Sequence, residues 1–404
     1  MDAILAAATG SDAWTAAVVA FASSAKDAAT FDSDRALKAD VCAMLWQALR
    51  DPTLPGAGIH ASLTVCKILM RERRDIAVLL STEAFDVFLR HAARPYATKA
   101  SNAVQLEAIR CMVNAVYIRP AFVEQLLATA QYDALLALSA SSQTMEFHTL
   151  LWKCILATFE QPRAITTAIT ALHVYATILP TAAYCIRSRD FAFSSPQIAL
   201  VVELVKAIFV ITSHHKDASV DAPWPAVDEA MPLLCDLLQL PNTAPILELK
   251  LQTVNCLMVL QHPTYIEYLV THNAASDLLT FLDYMLLKVR LEKTKKAGDV
   301  TPLLIGLNLL STTHARFRDA CKAAIFGATD LPLPSPEGLP MSPQPSAKFS
   351  LQEGLLSFMT SLDTDLKRCV SEFFFTLCEQ NPLEFTQRTG MGNAVALLRT
   401  KGLV

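Results

Sequence analysis

The feature that most constrains the fold is the return, every few dozen residues, of a long apolar stretch with helical spacing. Such stretches run Leu63 to Met70, Leu106 to Tyr117, Leu150 to Phe159, Val201 to Thr212, Leu251 to Leu260, Leu303 to Thr312 and Leu366 to Cys378. Shorter, more amphipathic helical segments lie between them. Apolar residues at i, i+3, i+4 and i+7 recur nearly throughout, as in Leu37, Val41, Leu45 and Ala48. Strand-type alternation is essentially absent from the pattern, so the expected fold class is all-α.

The stretches begin roughly 40 to 60 residues apart, near the period of armadillo and HEAT arrays. In such an array each repeat buries its apolar face only against its neighbours, and the stack curves. The reading is one armadillo/HEAT-like right-handed superhelical solenoid over residues 1–404, with a concave groove as its binding surface. The segment from Gly327 to Phe349 holds Pro332, Pro334, Pro336, Pro340, Pro343 and Pro345, and prolines remove helix bonds. It reads as a loop at 327–349 within one array, because the helical pattern resumes at Leu351. Helix starts are expected at Ser33-Asp34, Ser81-Thr82-Glu83 and Asp363-Thr364-Asp365, whose oxygens can accept from unpaired amides. Stops are expected at Pro52, Pro120, Pro180 and Pro263.

Apolar residues make up 52% of the chain and charged ones 18%, which implies a large buried core rather than disorder. With 34 Lys plus Arg against 38 Asp plus Glu, there is no dominant basic field of the kind nucleic acids require. The ten cysteines contain no CxxC and fall mostly in apolar helical stretches, the pattern of buried, reduced thiols in a cytoplasmic protein. Asp2 stands where a secretory signal would carry a basic residue. Glu203 and Lys206 interrupt the apolar run from Ala199 to Thr212, so no uncharged membrane span of about 18 residues is expected.

The sequence offers no catalytic constellation. HExxH and GxSxG are absent, and the one close histidine pair, His214-His215, reads as a solvated helix cap rather than a metal site. Gly56-Ala57-Gly58 and Gly390-Met391-Gly392 are too short to cradle phosphates. The expectation is a binding protein without cofactor or metal, not an enzyme. Three basic groups are candidates for contacting a partner. Lys67, Arg71, Arg73 and Arg74 close one long helix, where they either complement its C-terminal dipole or line the groove; Lys67 and Arg71, four apart, share a face. Arg316, Arg318 and Lys322 form a second group. Lys288, Arg290, Lys293, Lys295 and Lys296 form a third, which reads as a solvated turn. Asn114 and Asn255 sit inside apolar helices and must find partners, either in a neighbouring repeat or in a bound segment.

The C-terminal run Leu362-Asp363-Thr364-Asp365-Leu366-Lys367-Arg368, continuing through Glu372-Phe373-Phe374-Phe375-Thr376-Leu377-Cys378, resembles the synembryn family, also called resistance to inhibitors of cholinesterase. Thr389-Gly390-Met391-Gly392-Asn393-Ala394 and Lys401-Gly402-Leu403 resemble further motifs of that family. Lys67 to Arg73 and Cys111 to Asn114 agree more loosely. The resemblance implies a chaperone and non-receptor guanine-nucleotide exchange factor for heterotrimeric G-protein α subunits. It would act by binding, gripping the client's C-terminal helix and stabilising its nucleotide-free state. The partner would be a GDP-bound or nucleotide-free α subunit, met by a cytoplasmic monomer that reaches the membrane and cell cortex only through its client. The alternative is a generic armadillo-type scaffold for another protein.

Carried over by motif, Lys67, Arg71 and Asn114 match groove positions, and Lys367, Arg368 and Asn393 match the C-terminal motifs, as does Asp363. Asp363 also suits a helix cap, and Arg368 and Glu372 an i,i+4 pair. Val210 and Val259 stand where the resemblance implies asparagines. The family's acidic, phosphorylatable tail would follow Val404. The resemblance therefore implies a chain without that regulatory segment, in which tail-dependent exchange is weakened.

Overall fold

The computed structural model describes residues 1–27, 31, 35–94, 99–141, 143–170, 173–218, 227–291, 300–327 and 350–404. Ser33, Asp34, Lys293, Lys295, Lys296 and the proline-rich segment beyond Gly327 lie outside them. The described residues form helices and connecting turns, with no strand among them. Contacts divide the chain into two compact units, Met1–Cys185 with Ser194–Ala222, and Ile186–Phe193 with Pro223–Val404.

The first unit opens with α1 (Asp2–Ala6), α2 (Asp12–Ser24), α3 (Arg35–Arg50), α4 (Gly56–Leu69), α5 (Thr82–Ala93) and α6 (Lys99–Ile118). It continues with α7 (Phe122–Leu127), α8 (Gln131–Ala137), α9 (Met145–Thr158), α10 (Pro162–Thr170), α11 (Tyr175–Ile186) and α12 (Ser195–Ala218). A row of long helices organises it: α2 packs on α4, α4 on α6, α6 on α9 and α9 on α12. A second row of helices backs the first, with α3 on α4, α5 on α6 and α10 on α12. The row helices are buried nearly all round, as Leu63, Val65, Cys66 and Leu69 on α4 illustrate, and this is why their sequences read as apolar runs rather than amphipathic stripes.

The second unit contains α13 (Val227–Gln239), α14 (Ala244–Val259), α15 (Pro263–Thr271), α16 (Ala274–Leu291) and α17 (Thr301–Thr313). After them come α18 (Ala315–Phe326), α19 (Leu351–Phe358), α20 (Thr364–Leu377), α21 (Pro382–Thr389) and α22 (Met391–Thr400). Here α14 packs on α17, α17 on α20 and α20 on α22. A Cβ placed on Gly306 of α17 would meet Val254 Cγ1 of α14 at 3.1 Å, so the glycine permits the close approach of these two helices. Each of the seven long apolar stretches coincides with a helix, four of them running one residue past its end, and within each unit successive ones are packing neighbours.

The ends follow the expected chemistry with three exceptions. Ser81 accepts from the Ala84 N–H at 3.1 Å, and Asp363 accepts from the Asp365 and Leu366 N–H groups. Pro180, expected as a stop, lies inside α11, where the buried Ile178, Leu179, Ala182 and Cys185 hold the helix through one missing backbone bond. Pro263 opens α15 instead of ending a helix, at a position whose N–H has no helical partner anyway. His214 is not beyond a helix end: α12 continues to Ala218, and the His214 ring meets Thr166 Oγ1 of α10 at 3.2 Å. Residues 195–214 of α12 are long and apolar enough to cross a bilayer, yet most are buried against neighbouring helices. All ten cysteines are free thiols.

Candidate protein-binding surface

Two clefts open on the row of long helices in the first unit. One, about 380 Å³, lies between α2 and α4. Val19, Ala22 and Ile68 give it an apolar floor, and Lys26, Lys67 and Arg71 give it a positive rim. Arg71, just past the end of α4, donates from Nη1 to the Lys26 carbonyl at 2.5 Å, which ties the chain after α2 to this edge. Lys67 and Arg71 thus reach one cleft, as their four-residue spacing implies.

Asn114 belongs to the same neighbourhood. It is half-buried on α6, and its Nδ2 donates to the Lys67 carbonyl at 3.4 Å. Beside it, Lys67 Nζ lies 2.6 Å from Glu107 Oε2, and Arg110 Nη1 lies 2.5 Å from Glu107 Oε1. The other Arg110 nitrogen reaches Glu146 Oε1 on α9 at 3.0 Å. Basic and acidic side chains therefore alternate across three successive helices.

The second cleft, about 560 Å³, lies on α6, α9 and α12. Tyr117, Leu156, Phe209 and Val210 supply apolar surface, with Lys153, Lys206, Glu160 and Glu203 among them. Tyr117 is 54% exposed, a large aromatic left without full cover. Glu203 Oε1 lies 3.4 Å from Lys206 Nζ and 4.0 Å from Lys153 Nζ. Val210, where the resemblance implied asparagine, makes this cleft more apolar than an amide would.

The remaining candidates lie in the second unit, and the structure gives most of them partners of their own. Asn255 donates to Gln252 Oε1 at 3.2 Å within α14. Arg316 reaches Glu267 at 2.5 Å. Arg318 lies 3.7 Å from Glu379, and Lys322 lies 3.3 Å from Glu379 and 3.2 Å from Glu384. Burial works to lower the Lys322 ammonium, but the Glu384 and Glu379 carboxylates hold it above the usual lysine value. Arg368 pairs with Asp365 at 3.4 Å, and Glu372 pairs with Lys401 at 3.0 Å instead of with Arg368. Asn393 donates to the Thr389 carbonyl at 2.9 Å across Gly390, whose φ of 83° turns the chain between α21 and α22. Lys367 sits half-buried in the first turn of α20. Asp363 and Asn393 thus satisfy backbone groups at the start of α20 and the end of α21.

Sequence reasoning missed Glu107, Tyr117, Lys153 and Phe209. A usable signal existed for Glu107: Glu107-Ala-Ile-Arg110, like Glu203-Leu-Val-Lys206, places a charge pair at i,i+3 on one helix face. Among the described residues no group of three or more His, Cys, Asp or Glu is placed to hold a metal ion. The first cleft, an apolar floor with a basic rim, suits a helix that is apolar on one face and acidic at one end.

These features define an all-α protein of packed helical rows with an amphipathic, basic-rimmed surface. A family model described as guanine nucleotide exchange factor synembryn matches residues 62–404, and the chain belongs to that family. Among similar proteins, the chaperone Ric-8A of Gallus gallus is 30% identical over 220 residues, 50% of this chain and 38% of the relative. The chaperone Ric-8A of Xenopus tropicalis is 29% identical over 221 residues, with the same shares. The chaperone Ric-8A of Danio rerio is 33% identical over 154 residues, 37% of this chain and 26% of the relative. The matched region spans less than half the length of these curated relatives.

Proposed function

We propose that this chain is a chaperone and non-receptor guanine-nucleotide exchange factor for heterotrimeric G-protein α subunits, acting by binding and not by covalent chemistry. The family membership and the relatives named as chaperones support the reading. The single observation that carries it to particular residues is the cleft between α2 and α4, where Lys67 and Arg71 rim an apolar floor beside Asn114. The apolar face of the client's C-terminal helix would lie on that floor, with its terminal carboxylate or acidic side chains against the rim. Charge-assisted contacts of this kind contribute roughly 1.5 to 3 kcal/mol each.

The row of long helices within each unit supports an armadillo/HEAT-like right-handed solenoid with a concave groove. Exchange needs no catalytic group here. A protein that binds the nucleotide-free client more tightly than the GDP-bound form accelerates GDP release, and nucleotide must weaken the complex by the same factor. Withdrawing the client's C-terminal helix into the groove would loosen the guanine-contacting loop that leads into it. The protein would act as a cytoplasmic monomer.

The test is the affinity of Arg71→Glu for a nucleotide-free α subunit. Loss of roughly tenfold or more is expected, and unchanged affinity removes this cleft from the mechanism. Binding indifferent to added GTP analogue would favour a scaffold for some other protein.

A further inference from the structure

The two charge networks in the first unit repeat one arrangement. Glu107 on α6 is 6% exposed and Glu203 on α12 is 7% exposed. Each receives a lysine from the preceding long helix, Lys67 from α4 for Glu107 and Lys153 from α9 for Glu203. Each also holds the basic residue three positions further along its own helix, Arg110 or Lys206. Lys67 lines the first cleft, and Lys153 and Lys206 line the second.

We infer that Glu107 and Glu203 are positioning residues for partner selection: each seats two basic side chains beside a cleft and cancels part of their charge, so that the surface disfavours generally acidic chains. The inference rests on the proposed binding of a helix that is acidic only at its end. Without the two carboxylates, Lys67, Arg110, Lys153 and Lys206 would each lose a neighbouring negative charge, with Glu146 still beside Arg110 and Glu160 still in the second cleft. Any flexible polyanion would then be attracted, because Coulomb attraction carries little geometric specificity. With them, the tips of Lys67 and Lys206 are held at carboxylates, and a ligand must bring its own carboxylate to the rim. Selectivity of this kind comes from weakening the wrong partner rather than strengthening the right one. The burial of both glutamates keeps them from turning outward to meet solvent or a ligand.

The test uses the full chain and two fluorescent probes, a peptide of the last sixteen or so residues of an α subunit and a polyglutamate of equal length. Glu107→Gln and Glu203→Gln are each expected to tighten polyglutamate binding roughly fivefold, with a steeper salt dependence, and to raise the ratio of polyglutamate affinity to α-subunit-peptide affinity by more than about twofold. Glu107→Asp and Glu203→Asp keep the charge and should stay near wild type. Glu146→Gln is the safeguard against misfolding, since Glu146 is 56% exposed and removing its charge frees one Arg110 nitrogen; it should move polyglutamate in the same direction by a smaller factor. If none of the glutamine variants changes the ratio of the two affinities by about twofold, the inference is overturned. Arg71→Glu separates this result from the parent reading: a ratio that shifts in the glutamine variants while Arg71→Glu still binds the α-subunit peptide keeps the seats and refutes the client-helix assignment.

Discussion

The side-chain amide of Asn114 on α6 donates to the main-chain carbonyl of Lys67, 3.4 Å away at the end of α4. The N–H groups that follow in the chain turn to other oxygens, Met70 to Cys66, Arg71 to Ile68 and Glu72 to Leu69. Lys67 is therefore one of the carbonyls that a helix end leaves over, and a neighbouring helix supplies its donor. The contact fixes the register of α4 against α6 at the edge where Lys67 and Arg71 emerge.

Replacing Asn114 should consequently act on both folding and binding. Asn114→Ala is expected to lower stability by about 0.5 to 1.5 kcal/mol in urea unfolding. Its amide oxygen remains an acceptor for a client's main chain, so affinity for a nucleotide-free α subunit should also fall, by roughly three- to tenfold. A stability loss with wild-type affinity would make the residue purely a splice between the two helices.

The seven long helices were legible because burial on all sides leaves a continuous apolar run that only a helix of this length can accommodate. Asp363 and Ser81 were legible as caps because their bonds are local, within three residues. Lys67 and Arg71 were legible as a pair because they stand only four positions apart. At Glu107 and Glu203 only the i,i+3 partners on the same helix left a local signal; the lysine from the preceding helix did not, since Lys67 reaches Glu107 across forty positions of sequence, and that meeting depends on how two helices register. The carboxylates beside Arg318 and Lys322 were illegible for a related reason: they come from the turn and helix that follow α20, far along the chain. Pro180 misled because helix propensity was outweighed by tertiary burial of the helix that contains it.

The motif around Asp363 should prove structural. Its carboxylate accepts from Asp365 N at 3.1 Å and Leu366 N at 3.0 Å, satisfying two donors at the start of α20. Asp363→Ala is expected to cost about 0.5 to 2 kcal/mol in thermal or urea unfolding, while Asp363→Asn restores most of it. Client affinity measured below the melting transition should stay unchanged.

The thiols offer a map of which layers open. Burial pushes the Cys42 and Cys321 thiols up to about 12 and the Cys66 thiol well above its ordinary value. A thiol of that kind carries almost no thiolate at neutral pH and meets no reagent. Iodoacetamide at pH 7.5, read by peptide mass spectrometry, should label the half-buried Cys369 before any of these three. All ten should react in denaturant. Early labelling of Cys66 would mean that α4 and α6 separate in the native state.

Lys250 makes stability depend on alkaline pH. It is 3% exposed, with Nζ 2.6 Å from Asn242 Oδ1 and 5.4 Å from the centre of the Phe281 ring. Burial pushes its ammonium down to about 8, against the opposing pull of the Asp277 carboxylate. An unfolded lysine titrates near 10.4, so below pH 8 both states hold the proton and no slope arises from this residue. Between about 8 and 10.4 the unfolded chain keeps a proton that the folded one has released, and stability rises with pH. The gain should reach roughly 2 to 3 kcal/mol at the upper end, superimposed on the titration of other groups. Lys250→Met, which keeps the length and removes the charge, isolates it: urea unfolding at pH 7, 8, 9 and 10 should show the wild type closing on the variant as the pH climbs. A constant difference between the two across that range would mean that Lys250 does not lose its proton in the folded state.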